Sequence, residues 1–215
     1  MSQVLVYADS LSWGIVPDTR KRLPFEARWP GILETGLRQR GRHERFVEDC
    51  LNGRRTVWDD PFKAGRRGLD GLAQRIEVNS PLALVILMLG TNDFQSMHAN
   101  NAWHSSQGLA ALVHAIRTAP IEPGMPVPPI LVVAPPPITT PRGAIAAKFA
   151  GGKTRCVGAA EAYAQMCRET GCHFFDAGRV VQASPVDGVH LDAAEHRSLG
   201  LALIDPVAAL LEGCA

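Results

Sequence analysis

Leu82-Ala83-Leu84-Val85-Ile86-Leu87-Met88-Leu89 runs straight into Gly90-Thr91-Asn92-Asp93. A run of apolar residues without alternation, followed by glycine and asparagine, describes a strand covered on both faces that ends in a tight turn. Working outward, similar runs lie at Val4–Tyr7, Ile130–Ala134 and His173–Phe175, and a weaker strand is predicted at Arg45–Glu48. The segments between them have helical spacing. Trp29–Arg40 puts Ile32, Leu33 and Leu37 on one face and stops before Gly41, a fitting residue for a helix end. Gly68–Val78, Ser105–Thr118 and Lys153–Thr170 follow the same pattern. Ala193–Leu211 closes the chain, and Pro206 is expected to kink or split it. Alternating strands and helices predict an α/β protein: a three-layer α/β/α sandwich on a flavodoxin-like, mainly parallel five-stranded sheet, spanning 1–215 as one domain.

Composition narrows the function. The 215 residues are 46% hydrophobic, enough for a full core. Lys plus Arg number 22 and Asp plus Glu 21, a formal net charge of +1, so no electrostatic footprint for nucleic acid or an anionic membrane is present. Cys50, Cys156, Cys167, Cys172 and Cys214 are odd in number and form no CxxC, which argues against a disulfide framework or a zinc knuckle. The start, Met1-Ser2-Gln3 into Val4-Leu5-Val6-Tyr7, lacks the basic and apolar regions of a secretory signal. No apolar run approaches the roughly 20 residues that span a bilayer. A cytoplasmic protein with no membrane partner is expected. The glycines at 65, 68 and 71 match no phosphate-binding loop, so no nucleotide cofactor is expected.

Three motifs carry chemistry. Ala8-Asp9-Ser10-Leu11 follows the first strand, Gly90-Thr91-Asn92-Asp93 the third, and Asp187-Gly188-Val189-His190 the fifth. Ligands of open parallel sheets bind beyond the carboxyl ends of the strands, so all three fall on one edge. A serine hydroxyl needs a base to become a nucleophile, and a histidine needs a third group to hold its tautomer. Ser10, His190 and Asp187 supply that set.

With the Gly53 block Leu51-Asn52-Gly53-Arg54-Arg55-Thr56 added, four motifs stand in the order found in the SGNH hydrolases, the GDSL esterase/lipase family. Over residues 4 to 211 the chain resembles that family, and most of all its cytoplasmic arylesterase and acyltransferase branch. The resemblance implies that Ser10 is the nucleophile, His190 the general base and acid, and Asp187 the group orienting the imidazole. It also implies an oxyanion hole of the Ser10 and Gly53 N–H groups and the Asn92 amide. By the same resemblance the substrate is a small-molecule, short-acyl ester. No cofactor is implied, acyl transfer to alcohols or peroxide accompanies hydrolysis, and the protein forms a homo-oligomer, up to an octamer. Asn92→Ala is then expected to impair turnover severely with a modest effect on folding.

Other residues receive weaker assignments. Leu11, Trp13, Thr91 and Val189 neighbour the motifs and are expected to wall the substrate pocket, with Trp58, Phe94 and Phe149 as further candidates from the loops. Asp9 and Asp93 are read as turn-fixing hydrogen-bond acceptors. Ala8 stands where the family has glycine, and its methyl is expected to cost activity or stability. A metal site drawn from His190, Asp192, Glu195 and His196 has no HExxH spacing and is disfavoured. The runs Arg20-Lys21-Arg22, Arg54-Arg55 and Arg66-Arg67 have the charge to bind an anionic ligand but read as solvated faces, with Arg54 and Arg55 the exceptions, near enough to Gly53 to lie beside the site. The non-enzymatic alternative is a flavodoxin-like binding or assembly module with a vestigial triad.

Overall fold

The computed structural model describes residues 3–212. Cys214 and the Met1-Ser2 start, on which two of the readings above partly rest, lie outside the described residues. Strands β1 (Gln3–Ala8), β2 (Arg45–Cys50), β3 (Leu82–Met88), β4 (Ile130–Ala134) and β5 (His173–Asp176) form one sheet in the order β2-β1-β3-β4-β5. Every pairing is parallel. The order reverses between β1 and β3, the arrangement of flavodoxin-like sheets.

Strand side chains alternate between faces, and here each face meets a core. Val4, Val6 and Ala8 pack with Trp29, Leu33, Leu199 and Val207 on one side. Leu5 and Tyr7 pack with Leu72, Leu109, Leu112 and Tyr163 on the other. That double burial is why the strands read as unbroken apolar runs. The first core is covered by α2 (Trp29–Gln39), α7 (Ala193–Ala202) and α8 (Ile204–Glu212). The second is covered by α3 (Leu72–Asn79), α4 (Ala102–Arg117) and α6 (Ala159–Thr170). Two short helices, α1 (Ser10–Trp13) and α5 (Gly152–Arg155), complete the set.

Four helix boundaries differ from the sequence reading, two of them at a left-handed glycine. The segment expected over Gly68–Val78 is helical only from Leu72, because Gly71 is left-handed and a Cβ on Gly68 would overlap the Arg55 carbonyl oxygen. Lys153–Thr170 divides into α5 and α6 at Gly158, whose φ is +79°. The last segment does split, but at Leu203; Pro206 is the third residue of α8, where its missing N–H has no intrahelical partner to lose. At the start of α4, Asn101 and His104 cap the helix reciprocally and extend it upstream to Ala102.

Ala8 is fully buried within the first core. Its methyl occupies packed space on an extended strand. Among the described non-glycine residues only Asp18 has a positive φ, so backbone strain at Ala8 is not part of the structure. No helix of the described residues is long and apolar enough to cross a membrane.

Candidate active site

The short helix α1 begins immediately beyond β1. Asp9 caps it, accepting the Leu11 N–H at 2.9 Å, which places Ser10 as its first residue. The first N–H groups of a helix have no intrahelical acceptor, so the Ser10 N–H is not consumed by α1.

Opposite Ser10, the segment Asp187–His190 folds around its own aspartate. Asp187 Oδ1 accepts the N–H groups of Val189 and His190, both at 2.9 Å. Gly188 makes the turn possible: its φ is +79°, and a Cβ there would overlap the Thr140 carbonyl oxygen. Neighbouring loops fasten the segment, through Thr139 N–H to Gly188 O and Arg142 N–H to Asp187 O.

Ser10, Asp187 and His190 meet. His190 Nδ1 lies 2.6 Å from Asp187 Oδ2, and His190 Nε2 lies 3.1 Å from Ser10 Oγ. A carboxylate only accepts, so Nδ1 carries the hydrogen and the neutral ring presents Nε2 as acceptor to the serine hydroxyl. Burial alone would raise the Asp187 carboxyl. The hydrogen bond and charge of His190 and the two backbone N–H groups outweigh it and hold the group at about 2. The carboxylate is therefore ionised beside the imidazole. Asp18 adds a further N–H, 3.4 Å from Asp187 Oδ2, so the long Val16–Arg28 loop supports the acid directly.

Gly53 and Asn92 line the same cavity as Ser10, Asp187 and His190, about 230 Å³ in volume. Gly53 has φ +84°, and nothing lies closer than 3.7 Å to where a Cβ would be. Its glycine is demanded by backbone conformation and not by lack of room. Asn92 is more constrained than the sequence suggests. Its Nδ2 donates to Asp9 Oδ2 at 2.8 Å and to the Arg54 carbonyl at 3.2 Å, while Oδ1 accepts from Gln95 Nε2 at 2.6 Å. Both amide hydrogens thus have protein acceptors. The expectation of a modest folding cost for Asn92→Ala is corrected accordingly: truncation strips a donor from buried Asp9 and an acceptor from buried Gln95.

Asp9 and Asp93 are both buried acceptors. Asp93 receives the Thr56 N–H and hydroxyl and the Ser105 hydroxyl, at 3.0, 2.7 and 2.6 Å, and so ties the Gly53 loop to the Asn92 turn. Gly90 opens that turn with φ +117°, where a Cβ would overlap the Tyr163 hydroxyl. Burial raises the Asp9 carboxyl to about 6, against its hydrogen bonds and the charge of His190. The folded state therefore favours protonated Asp9, and its contribution to stability is full below the ordinary 3.8 and lost as pH rises through about 6. Asp9→Asn, which removes that charge, should gain stability relative to wild type by roughly 2–3 kcal/mol between about pH 4 and pH 7. Urea denaturation at the two pH values measures it, and a pH-independent difference would contradict the assignment.

The four residues expected to wall the pocket do not line this cavity. Leu11 packs into the first core, since successive helix residues point about 100° apart. Trp13 lies beneath the Arg22 guanidinium, 4.8 Å from its ring centroid. Thr91 faces a separate apolar cavity walled by Pro135, Pro136, Pro137 and Ile138. Val189 joins Phe94, Ile138, Phe149 and Cys156 in a small cluster beside the site. Of the loop aromatics, Phe149 does line the cavity, whereas Trp58 lies near His98 and His104. Ile15, Asp18, Arg20, Asn52, Lys63 and Lys148 line it as well and were not singled out as pocket residues. The sequence offered a signal for two of them: the Arg20-Lys21-Arg22 run held Arg20, and the Gly53 block held Asn52.

Arg54 and Arg55 are not solvated. Arg54 stacks on Tyr7 and bonds to Ala8 O and Asp49, and Arg55 is wholly buried against Gln95 and Asp60. The residues of the metal reading are engaged separately: Asp192 by the Ser184 hydroxyl, Glu195 by the Gln182 N–H and His196 by the Trp29 N–H.

The sequence profile of the GDSL-like lipase/acylhydrolase family matches residues 9–197. No curated protein matches in sequence. Among solved structures, the inhibitor-bound aryl esterase of M. smegmatis superposes with a TM-score of 0.92 at 32% identity, covering 98% of this chain and 100% of that one. Est24, a carbohydrate acetylesterase from Sinorhizobium meliloti, gives 0.91 at 33% identity over 98% and 100%. A lipase/acylhydrolase from Enterococcus faecalis shares the fold at 13% identity, with a TM-score of 0.68 over 97% and 96%. The profile match over most of the length, the topology and the near-complete overlap with these structures agree: the chain belongs to the GDSL-like lipase/acylhydrolase family.

Proposed function

We propose that the protein is a carboxylic ester hydrolase of the arylesterase or acetylesterase type that works through an acyl-Ser10 intermediate. The observation that carries the reading is the unbroken chain from Ser10 Oγ through His190 to Asp187 in one cavity. His190 Nε2 takes the Ser10 proton as Oγ attacks the ester carbonyl. Negative charge moves to the carbonyl oxygen, where preorganised donors stabilise it. The Ser10 and Gly53 N–H groups are assigned that task. Asn92 joins them by releasing its longer bond, the one to Arg54 O. His190 then protonates the departing alcohol, and water, activated by the same nitrogen, frees the acid.

The small cavity supports short acyl groups. Transfer of the acyl group to an alcohol or peroxide uses the same intermediate with a different acceptor. A cytoplasmic homo-oligomer and a single domain over 1–215 complete the proposal. The test is a series of p-nitrophenyl esters from acetyl to palmitoyl, run with and without added alcohol, followed by labelling with a p-nitrophenyl phosphonate. Fastest turnover on acetyl esters and a single adduct on Ser10 are expected. No turnover, or an adduct elsewhere, would overturn the reading.

A further inference from the structure

We infer that the cavity selects short-acyl esters whose alcohol part carries an anionic group, received by Lys63 and Lys148 with Arg20 at the rim. The inference rests on the esterase reading and names the substrate class for the same site.

Arg20, Lys63 and Lys148 come from three separate loops, yet all three line the cavity that holds Ser10 and His190. Among the described residues none of them has a carboxylate partner within 4.0 Å. The nearby acids are occupied. Asp60 is held by Arg55 at 3.0 Å and Asp187 by His190, while Asp18 at the rim accepts the Ala144 N–H. Exposed Arg20 and Lys63 and half-buried Lys148 therefore gather where Asp18 is the one carboxylate not held by a cation, while Asp60, already paired with Arg55, acts on both lysines from the neighbouring cleft. Charge gathered in a cleft acts on an entering substrate more strongly than on an open surface.

The two lysines also line a second cleft of about 500 Å³ with Phe62, Ser96 and Met97. They border both the cavity that holds the nucleophile and this cleft, into which the rest of a substrate would extend. The catalytic cavity has room for a small acyl group, so the longer alcohol part is the portion that passes the lysines. Burial lowers the Lys63 and Lys148 ammonium groups from their usual range; Asp60 works against that on both, and repulsion from neighbouring cations, Arg20 among them, adds to it. A bound anion relieves that repulsion, and a neutral substrate does not. Lysine suits the task because a mobile point charge accepts carboxylate, sulfate or phosphate without demanding bidentate geometry.

The experiment compares kcat/KM for 4-acetoxybenzoate with that for its neutral methyl ester, in wild type and in Lys63→Met, Lys148→Met and the double variant. Dividing each variant rate by the wild-type rate on the same ester cancels leaving-group reactivity. At low salt the anionic-to-neutral ratio is expected to fall about fivefold in each single variant and more than about tenfold in the double. Raising salt from about 0.01 M to about 1 M shortens the Debye length from about 30 Å to about 3 Å and should erode the wild-type preference. Arg168→Met makes the same change in net charge on exposed α6, outside the cavity, and should leave the ratio alone. An unchanged ratio in the double variant, or an equal fall in Arg168→Met, would overturn the inference while the esterase reading stands. Absence of Ser10-dependent turnover on both esters would remove the esterase reading and this inference together.

Discussion

Ser10→Ala is expected to lower kcat for p-nitrophenyl acetate by a factor on the order of 10⁴–10⁶ while the protein remains folded. The size follows from what a single oxygen does. Ser10 Oγ is the only group in the proposed chain that forms a bond to the acyl carbon, so its loss removes the covalent route and leaves only the electrostatics of the cavity acting on water. The structural cost is small. Ser10 sits at the start of α1, where its side chain faces His190 and caps nothing; Asp9 makes the cap. Alanine is well tolerated in a helix. The measurement pairs initial rates with a thermal melt. Matched melting with collapsed turnover supports the acyl-serine route. Retained turnover would exclude it and favour the binding-module reading, in which the triad is idle.

Asp187→Asn should lower kcat by about 10⁴, with both substrate and cavity unchanged. The introduced amide would keep an oxygen for the Val189 and His190 N–H groups, so the turn can persist. Its other arm is an NH₂ facing His190 Nδ1, and a donor cannot accept that ring hydrogen. The favoured tautomer then carries its hydrogen on Nε2, and Ser10 loses its base. A second readout separates this from simple destabilisation. The Asp187 carboxyl is held at about 2 in the folded protein against an ordinary 3.8, so its contribution to stability is full above 3.8 and is lost as pH falls towards 2. The stability gap between wild type and variant should therefore narrow across that interval. A kcat within about tenfold of wild type, or a gap independent of pH, would contradict the role given to Asp187.

Much of this site was legible in one dimension because strand order and motif position are coupled. A motif that follows a parallel strand must lie on the carboxyl edge, so Ser10 and Asn92 could be placed near each other before any contact was known. Asp187 and His190 were legible as a pair through the order of the motifs, and three residues apart across a glycine they are able to share one turn. The pocket walls were not legible. Leu11, Trp13, Thr91 and Val189 are next to the right residues, but proximity along a chain says little about direction. A helix turns each residue away from the last, and a tight turn sends its neighbours into the core or a side cavity. The helix break at Gly158 was missed for a related reason, since apolar periodicity continues through it while the left-handed backbone does not; the split of the last segment was expected, but at Pro206 and not at Leu203.

By itself the sequence determined the α/β class with its parallel strands and, through motif order, the residues proposed as the reacting groups, because burial periodicity and residue chemistry are properties of short segments. Only the tertiary structure decided what surrounds those groups. It turned Arg54 and Arg55 inward, tied Asn92 to Asp9 and Gln95, and brought Arg20, Lys63 and Lys148 to one cavity. Those outcomes depend on loops distant in sequence whose side-chain directions are set by packing, and no local pattern encodes them.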